Sequence, residues 1–199
     1  MLSLANNTIE ALPQEFFTLK DTGGDHRRSR ILRSVSLANN RLTEMPNLDA
    51  ALHSLHELDL HGNQLSEVTA ACRVSDMEQL TGIDLSRNEI SVVEAGALAS
   101  KRLRMVSLSH NQLTSIESGA FGPSLDHVWL TANVNLTCAG AEGSGVLPSG
   151  AECIDDGWCD AKWGVANVGN GYCDENFDPL YNTEACIWDA GECETASLA

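Results

Sequence analysis

Residues 83–88 read IDLSRN and residues 106–111 read VSLSHN, two copies of the pattern LxLxxN. The pattern recurs as LSLANN, VSLANN, LDLHGN and VWLTAN. Its asparagines are Asn7, Asn40, Asn63, Asn88, Asn111 and Asn133. They follow one another at intervals of 33, 23, 25, 23 and 22 residues. A short motif that returns at this period indicates a solenoid of stacked repeats.

The physical meaning of the motif follows from its spacing. Two apolar residues separated by one position point to the same side of a short strand, which predicts that they face a core. The asparagine amide is expected to turn inward and satisfy backbone groups where the chain leaves the strand. Stacked copies then form a parallel strand ladder over a continuous core, and the stack is the unit of stability.

These copies of LxLxxN resemble the leucine-rich repeat, and IESGAF from Ile116 and VVEAGAL from Val92 resemble its extracellular type. The resemblance implies an α/β-type solenoid over residues 1–137, with about six repeats, a parallel strand ladder and an irregular or short-helical convex side. The long first interval contains KDTGGDHRRSR, which predicts an exposed insertion near residues 18–30. Such an architecture is mostly a binding scaffold, so it implies little about the particular function.

The face of the ladder opposite the core is expected to be concave and to carry any protein ligand. Most of its positions are small or hydroxylic. The exceptions predict an interaction patch formed by Glu57, Asp59, His61 and Asp84, with His127 and Trp129 at the far end. The alternative is an ordinary solvated strand surface. Trp129 is either an exposed interface anchor or a residue covered by the C-terminal segment.

Charge is unevenly distributed along the chain. Residues 1–138 hold 16 acidic and 11 basic residues, net −5, whereas residues 139–199 hold 12 acidic residues against Lys162, net −11. This balance argues against nucleic acid or an anionic membrane as a partner, because both require a basic surface. It is compatible with bound cations.

Cysteine is concentrated in the same C-terminal segment. Of seven cysteines, only Cys72 precedes residue 138. A dense, even set in a short segment suggests disulfides and an oxidising compartment, so we expect an extracellular protein or a membrane-protein ectodomain. No secretory signal precedes the first repeat and no apolar run reaches membrane-spanning length, so we expect a fragment or a gene model that lacks its start.

The segment NGYCD followed by YNTEACIWDAGEC resembles the Lin-12/Notch repeat, whose ending has the form NxxxCxWDGGDC. The resemblance covers residues 159–193. It implies a small, disulfide-rich, calcium-binding module with little regular secondary structure, preceded by a cap or linker at 138–158 and followed by a tail at 194–199. Disulfides and a metal would compensate for the small core of such a module.

The resemblance also implies disulfide pairs. Four of the family's six cysteines are matched, which implies the bridges Cys159–Cys186 and Cys173–Cys193. Cys138 and Cys153 remain outside the matched set, and a bridge between them would close the end of the repeat stack, where a solenoid needs a cap. The alternative places Cys153 inside the module and pairs Cys159 elsewhere.

By the same resemblance, calcium ligands carry over to four positions. They are the side chain of Asn170, the backbone carbonyl of Tyr172, Asp189 and Glu192, with Asp174 as a further candidate. Oxygen ligands favour calcium over zinc or copper. Glu192 stands where the family usually has Asp, and Ala190 stands at a usual glycine.

No catalytic constellation is recognisable, since the sequence contains no GxSxG, no HExxH and no phosphate-binding Gly-rich loop. We therefore expect a non-enzymatic, extracellular protein-recognition scaffold with a calcium-stabilised module. One alternative is a regulatory ectodomain fragment of a receptor, in which the module masks a site. Another is the non-catalytic targeting portion of a larger secreted enzyme.

Overall fold

A computed structural model describes residues 1–13, 32–46, 54–133, 135–143 and 145–154. Within them, seven strands form one parallel sheet in the order β1-β2-β3-β5-β7-β9-β10. These strands are β1 Leu2–Ser3, β2 Ser34–Ser36, β3 Glu57–Asp59, β5 Gly82–Asp84, β7 Met105–Ser107, β9 His127–Trp129 and β10 Glu152–Ile154. The insertion near 18–30, the module at 159–193 and the tail at 194–199 lie outside the described residues.

The apolar positions of LxLxxN face the interior, as the spacing predicts. Val35, Leu58, Ile83, Val106 and Val128 follow one another in register across the ladder. Each is at least 99% buried. The second aliphatic residue of each of these copies is buried in the same core. The predicted parallel ladder over a continuous core is therefore confirmed for the described repeats.

The asparagines form a second ladder inside the turns. Asn88 Nδ2 donates to the carbonyls of Leu60, Leu85 and Ser86 at 3.1, 3.0 and 3.1 Å. Its Oδ1 accepts the Leu65 N–H at 3.1 Å. Two of these groups belong to the preceding repeat, so Asn88 joins two turns. The same bond to the preceding repeat is made by Asn40, Asn63, Asn111 and Asn133. The predicted inward amide is confirmed, and it meets the hydrogen-bonding needs of a buried turn.

The residue before each of these asparagines adopts a left-handed backbone. It is Gly62 in one repeat, with φ of 65°, and a non-glycine in the others. The non-glycines are Asn6, Asn39, Arg87, His110 and Ala132. A Cβ on Gly62 would collide with Asn39 Oδ1. The turn imposes this conformation even where the side chain disfavours it.

The opposite side of the solenoid combines short strands with single helical turns. The strands β4 Glu67–Val68, β6 Val92–Val93 and β8 Ser115–Ile116 form a second parallel sheet. Two 3₁₀ turns, Ala70–Cys72 and Val74–Asp76, occupy the third repeat. This agrees with the irregular or short-helical convex side that the sequence implies.

The last described segment closes the end of the ladder. The helix α1, Cys138–Gly143, is followed by β10, which pairs in parallel with β9. Cys138 and Cys153 form a disulfide with their Cα atoms 5.5 Å apart. Cys153 lies in β10, in register with Val128. The bridge therefore ties the strand that covers the edge of the last repeat to the helix before it.

None of the helices in the described segments is long and apolar enough to cross a membrane.

Candidate functional site

The register of the ladder arranges the residues opposite the core in two rows, which together we call the polar face. The first row contains Ser34, Glu57, Gly82, Met105, His127 and Glu152. The second row contains Ser36, Asp59, Asp84, Ser107 and Trp129. His61 follows Asp59 by two positions and so lies on the same face.

The two rows differ in their exposure. In the first row, Glu57, Met105 and His127 are partly exposed. In the second row, Asp59, Asp84 and Trp129 are only 3%, 2% and 3% exposed. The alternative of an ordinary solvated strand surface therefore does not hold for these three residues, whereas Ser107 in the same row is partly exposed. Of the two interpretations of Trp129, the exposed anchor is excluded in this conformation.

The structure brings three predicted patch residues together, and we call them the Asp59–His61–Asp84 cluster. One ligand-type atom from each lies within 4.8 Å of the others. His61 Nδ1 is 2.8 Å from Asp59 Oδ1, and Ser36 Oγ donates to Asp59 Oδ2 at 2.6 Å. Asp59 and Asp84 are register partners on neighbouring strands, so two carboxylates share one buried location.

Asp84 differs from Asp59 in how its oxygens are satisfied. Its Oδ1 accepts the backbone N–H of Ser86 at 2.9 Å. Its Oδ2 is buried and has no hydrogen-bond partner among the described residues. A buried carboxylate oxygen without a donor is costly, because it has lost its water without replacement.

The same burial affects the protonation of Asp84. Burial, and secondarily the nearby carboxylate of Asp59, raise the pKa of Asp84 from 3.8 to about 6, with His61 acting in the opposite direction. The ionised form of Asp84 is therefore held in an unfavourable environment at neutral pH. Such strongly perturbed groups are concentrated at functional sites, although structural networks also produce them.

The remaining patch residues lie apart from this cluster. Glu57 belongs to the first row, opposite Gly82 in register. His127 and Trp129 are on β9, separated from Asp84 by the whole of β7. The predicted patch is thus divided into a buried acidic cluster and a separate end near the cap.

The far end includes a residue that the sequence did not single out. Glu152, from β10, places its Oε2 3.2 Å from His127 Nδ1. The rings of His127 and Trp129 are 5.8 Å apart between centroids. The only sequence signal for Glu152 was its position beside Cys153, and that signal becomes informative once the disulfide and the strand pairing are known.

Several buried polar atoms near this end also have no hydrogen-bond partner among the residues that the structure describes. They are Ser107 Oγ, Ser109 Oγ, Trp129 Nε1 and Thr131 Oγ1. The polar face therefore has unused hydrogen-bonding capacity from β7 to β9. Burial of Trp129 was one of the two alternatives that the sequence left open, whereas burial of the three hydroxyl groups was not predicted.

The predicted calcium ligands Asn170, Tyr172, Asp174, Asp189 and Glu192 lie outside the described residues, as do the bridges Cys159–Cys186 and Cys173–Cys193. Both remain predictions.

The described chain is a parallel-strand solenoid, consistent with a leucine-rich repeat fold. Residues 32–71 match a family model described as Leucine Rich repeats (2 copies). A comparison with curated proteins finds no match to this chain. Leucine-rich repeats generally mediate protein–protein interaction.

Proposed function

We propose that this protein is an extracellular, non-enzymatic recognition scaffold that binds a protein ligand on the concave side of its strand ladder. The observation that supports this most directly is the partly exposed first row, which runs across the repeats as a strip of Glu57, Met105 and His127 and ends at exposed Glu152. Methionine at its centre offers an adaptable apolar contact.

The charge of the strip suggests the chemistry of the ligand. Along the first row, Met105 lies between Glu57 and Glu152. A basic protein surface with a central apolar residue would complement this arrangement. Charged groups at the rim of such a contact would mainly accelerate association, and the central contact would supply more of the affinity.

The proposal is tested by screening the full chain against an array of secreted and cell-surface proteins, then measuring each hit with variants. Met105→Arg and Glu57→Arg are expected to weaken binding of the true partner at least about tenfold. The matched control is Glu117→Arg on the opposite side, which should leave binding unchanged. A partner whose binding is lost only in Glu117→Arg would place recognition on the other face.

We also propose that residues 159–193 form a calcium-stabilised module and that the chain acts in an oxidising compartment. The first part rests on the resemblance of NGYCD and YNTEACIWDAGEC to the Lin-12/Notch repeat, and the second is supported by the Cys138–Cys153 disulfide. Calorimetric titration of calcium into the oxidised, chelator-treated chain should show saturable binding. Asp189→Ala should abolish it, and a wild-type chain without binding would refute the calcium role.

A further inference from the structure

We propose that Asp59, His61 and Asp84 form a binding site for one divalent cation of the zinc type on the polar face of the ladder. The site is composed of one imidazole nitrogen and two carboxylate oxygens, all within 4.8 Å of one another. All three residues are buried. They come from two adjacent strands and the turn that follows the first of them.

The spacing of the first two ligands is close to that in a metal site. Asp59 Oδ1 and His61 Nδ1 are 2.8 Å apart. Two ligands that bind one zinc ion tetrahedrally at about 2.0–2.1 Å are separated by about 3.3–3.4 Å, so the two atoms would move apart by about 0.5 Å when the ion binds. A proton shared between oxygen and nitrogen occupies that position without the ion, so binding the cation would displace a proton.

Asp84 supplies the independent observation that points to a ligand. The residue is 2% exposed, its Oδ1 is held by the Ser86 N–H, and its Oδ2 has no hydrogen-bond partner among the described residues. A cation bound to that oxygen would replace the missing donor. It would also offset the repulsion between the two neighbouring carboxylates.

The surrounding groups support the orientation that a metal requires. Ser36 Oγ donates to Asp59 Oδ2 at 2.6 Å, which leaves Oδ1 directed at His61. The backbone N–H of Ser86 donates to Asp84 Oδ1 and holds that carboxylate in a similar way. Hydrogen bonds of this kind to metal-binding carboxylates fix their orientation and raise metal affinity.

The donor set selects the type of ion. Calcium takes six to eight oxygen ligands, whereas an imidazole nitrogen with carboxylate oxygens suits zinc and neighbouring first-row metals. Three protein ligands leave a fourth zinc position for water or another donor. The site is therefore distinct in chemistry from the calcium module proposed at residues 159–193.

Metal binding to the cluster is independent of the proposed protein partner, because it is measured on the isolated chain. We would dialyse the oxidised full-length protein against a chelator and titrate it with zinc in competition with a chromophoric zinc indicator. The variants are Asp84→Asn and His61→Gln. The matched control is His127→Gln, which removes another histidine of the same face that also lies beside a carboxylate.

The wild-type chain is expected to show a zinc equivalent that both cluster variants weaken at least about 100-fold, since each loses a direct ligand. His127→Gln should retain the wild-type affinity. Cobalt absorption in the visible range provides a second readout, and its bands should disappear in the same two variants. Far-UV circular dichroism shows whether each variant is folded, which separates loss of the site from loss of the fold. A further variant, Asp59→Asn, tests the third ligand in the same way.

Two results would overturn the proposal. One is a chain that binds no zinc saturably under these conditions. The other is zinc binding that survives in folded Asp84→Asn and His61→Gln, which would assign the ion to another location, such as the acidic C-terminal segment. Loss of zinc binding in Asp189→Ala with full retention in the cluster variants would likewise assign the ion to that segment.

Discussion

The carboxylates of Asp59 and Asp84 lie on neighbouring strands as register partners, and both side chains are almost completely buried on the face opposite the hydrophobic core. Two acidic residues placed together in this way repel one another when both are ionised. Burial, and secondarily this repulsion, raise the pKa of Asp84, and this makes the pair the most informative place to perturb the protein.

Asp84→Asn is expected to stabilise the metal-free protein at neutral pH. Because the pKa of Asp84 is raised from 3.8 to about 6, the folded protein binds the proton of this carboxyl group more tightly than the unfolded chain does. The stability that the proton contributes is fully present below the unfolded-state pKa and is lost as pH rises through the folded-state pKa. The variant should therefore gain about 3 kcal/mol over wild type at pH 7.5, a gain that shrinks towards pH 4.

The measurement is chemical denaturation of both proteins across that pH range in the presence of a chelator. Asp126→Asn is the control, since it alters an exposed carboxylate 2.8 Å from Arg104. Its effect should stay below about 1 kcal/mol throughout. A gain for Asp84→Asn that does not vary with pH would show that ionisation of Asp84 is not the cause.

Asn88→Ala should destabilise the solenoid by about 2–4 kcal/mol, because it leaves the buried Leu65 N–H without its acceptor and removes the donor to three carbonyls. Equilibrium unfolding measures the loss. Asn7→Ala is the matched control at the exposed end, where the amide donates, among the described residues, to the carbonyls of Leu4 and Ala5 within its own turn. Equal losses at both positions would contradict a role in joining buried turns.

Replacing both Cys138 and Cys153 by alanine should lower the free energy of unfolding by about 3 kcal/mol, the value expected for a loop of this length. The rate of amide hydrogen exchange should increase more in Glu152–Ile154 than in the other strands, because the bridge holds that strand at the edge of the ladder. Cys72→Ala, at a free thiol, is the control. Unchanged exchange in β10 would show that pairing with β9 suffices.

The left-handed position before each asparagine predicts opposite effects of two glycine changes. Ala132→Gly should stabilise the protein by up to about 1 kcal/mol, because it relieves an alanine held at φ of 58°. Gly62→Ala should destabilise it by more than that, since the added Cβ would also collide with Asn39 Oδ1. Thermal unfolding of both variants checks the pair, and a stabilising Gly62→Ala would refute the interpretation.

Much of the architecture was predictable because it depends on local pattern. The alternation of aliphatic and small residues determines which side of a strand meets the core, so Val106 and Leu108 could be assigned inward without a structure. The inward amide of Asn88 was predictable for a similar reason, since a buried turn must satisfy its own backbone. The Cys138–Cys153 bridge was proposed from its place at the end of the stack, with another pairing left open.

The site was only partly predictable. The sequence placed Asp59, His61 and Asp84 on one face and His127 and Trp129 at its far end, which lies beyond β7. It could not determine that Asp84 Oδ2 lacks a partner among the described residues or that Trp129 is 3% exposed. The contact between Glu152 and His127 could not be predicted, because it depends on the pairing of β10 with β9.

The repeat, the direction of each strand side chain and the parallel ladder are predictable from the amino-acid sequence, because they follow from periodicity and from the hydrogen-bonding needs of a turn. The identity of the buried polar residues, of the strands that bring two carboxylates into register and of the strand that closes the edge is known from the three-dimensional fold alone. Burial and proximity depend on how distant repeats stack, and that information is not contained in any single repeat.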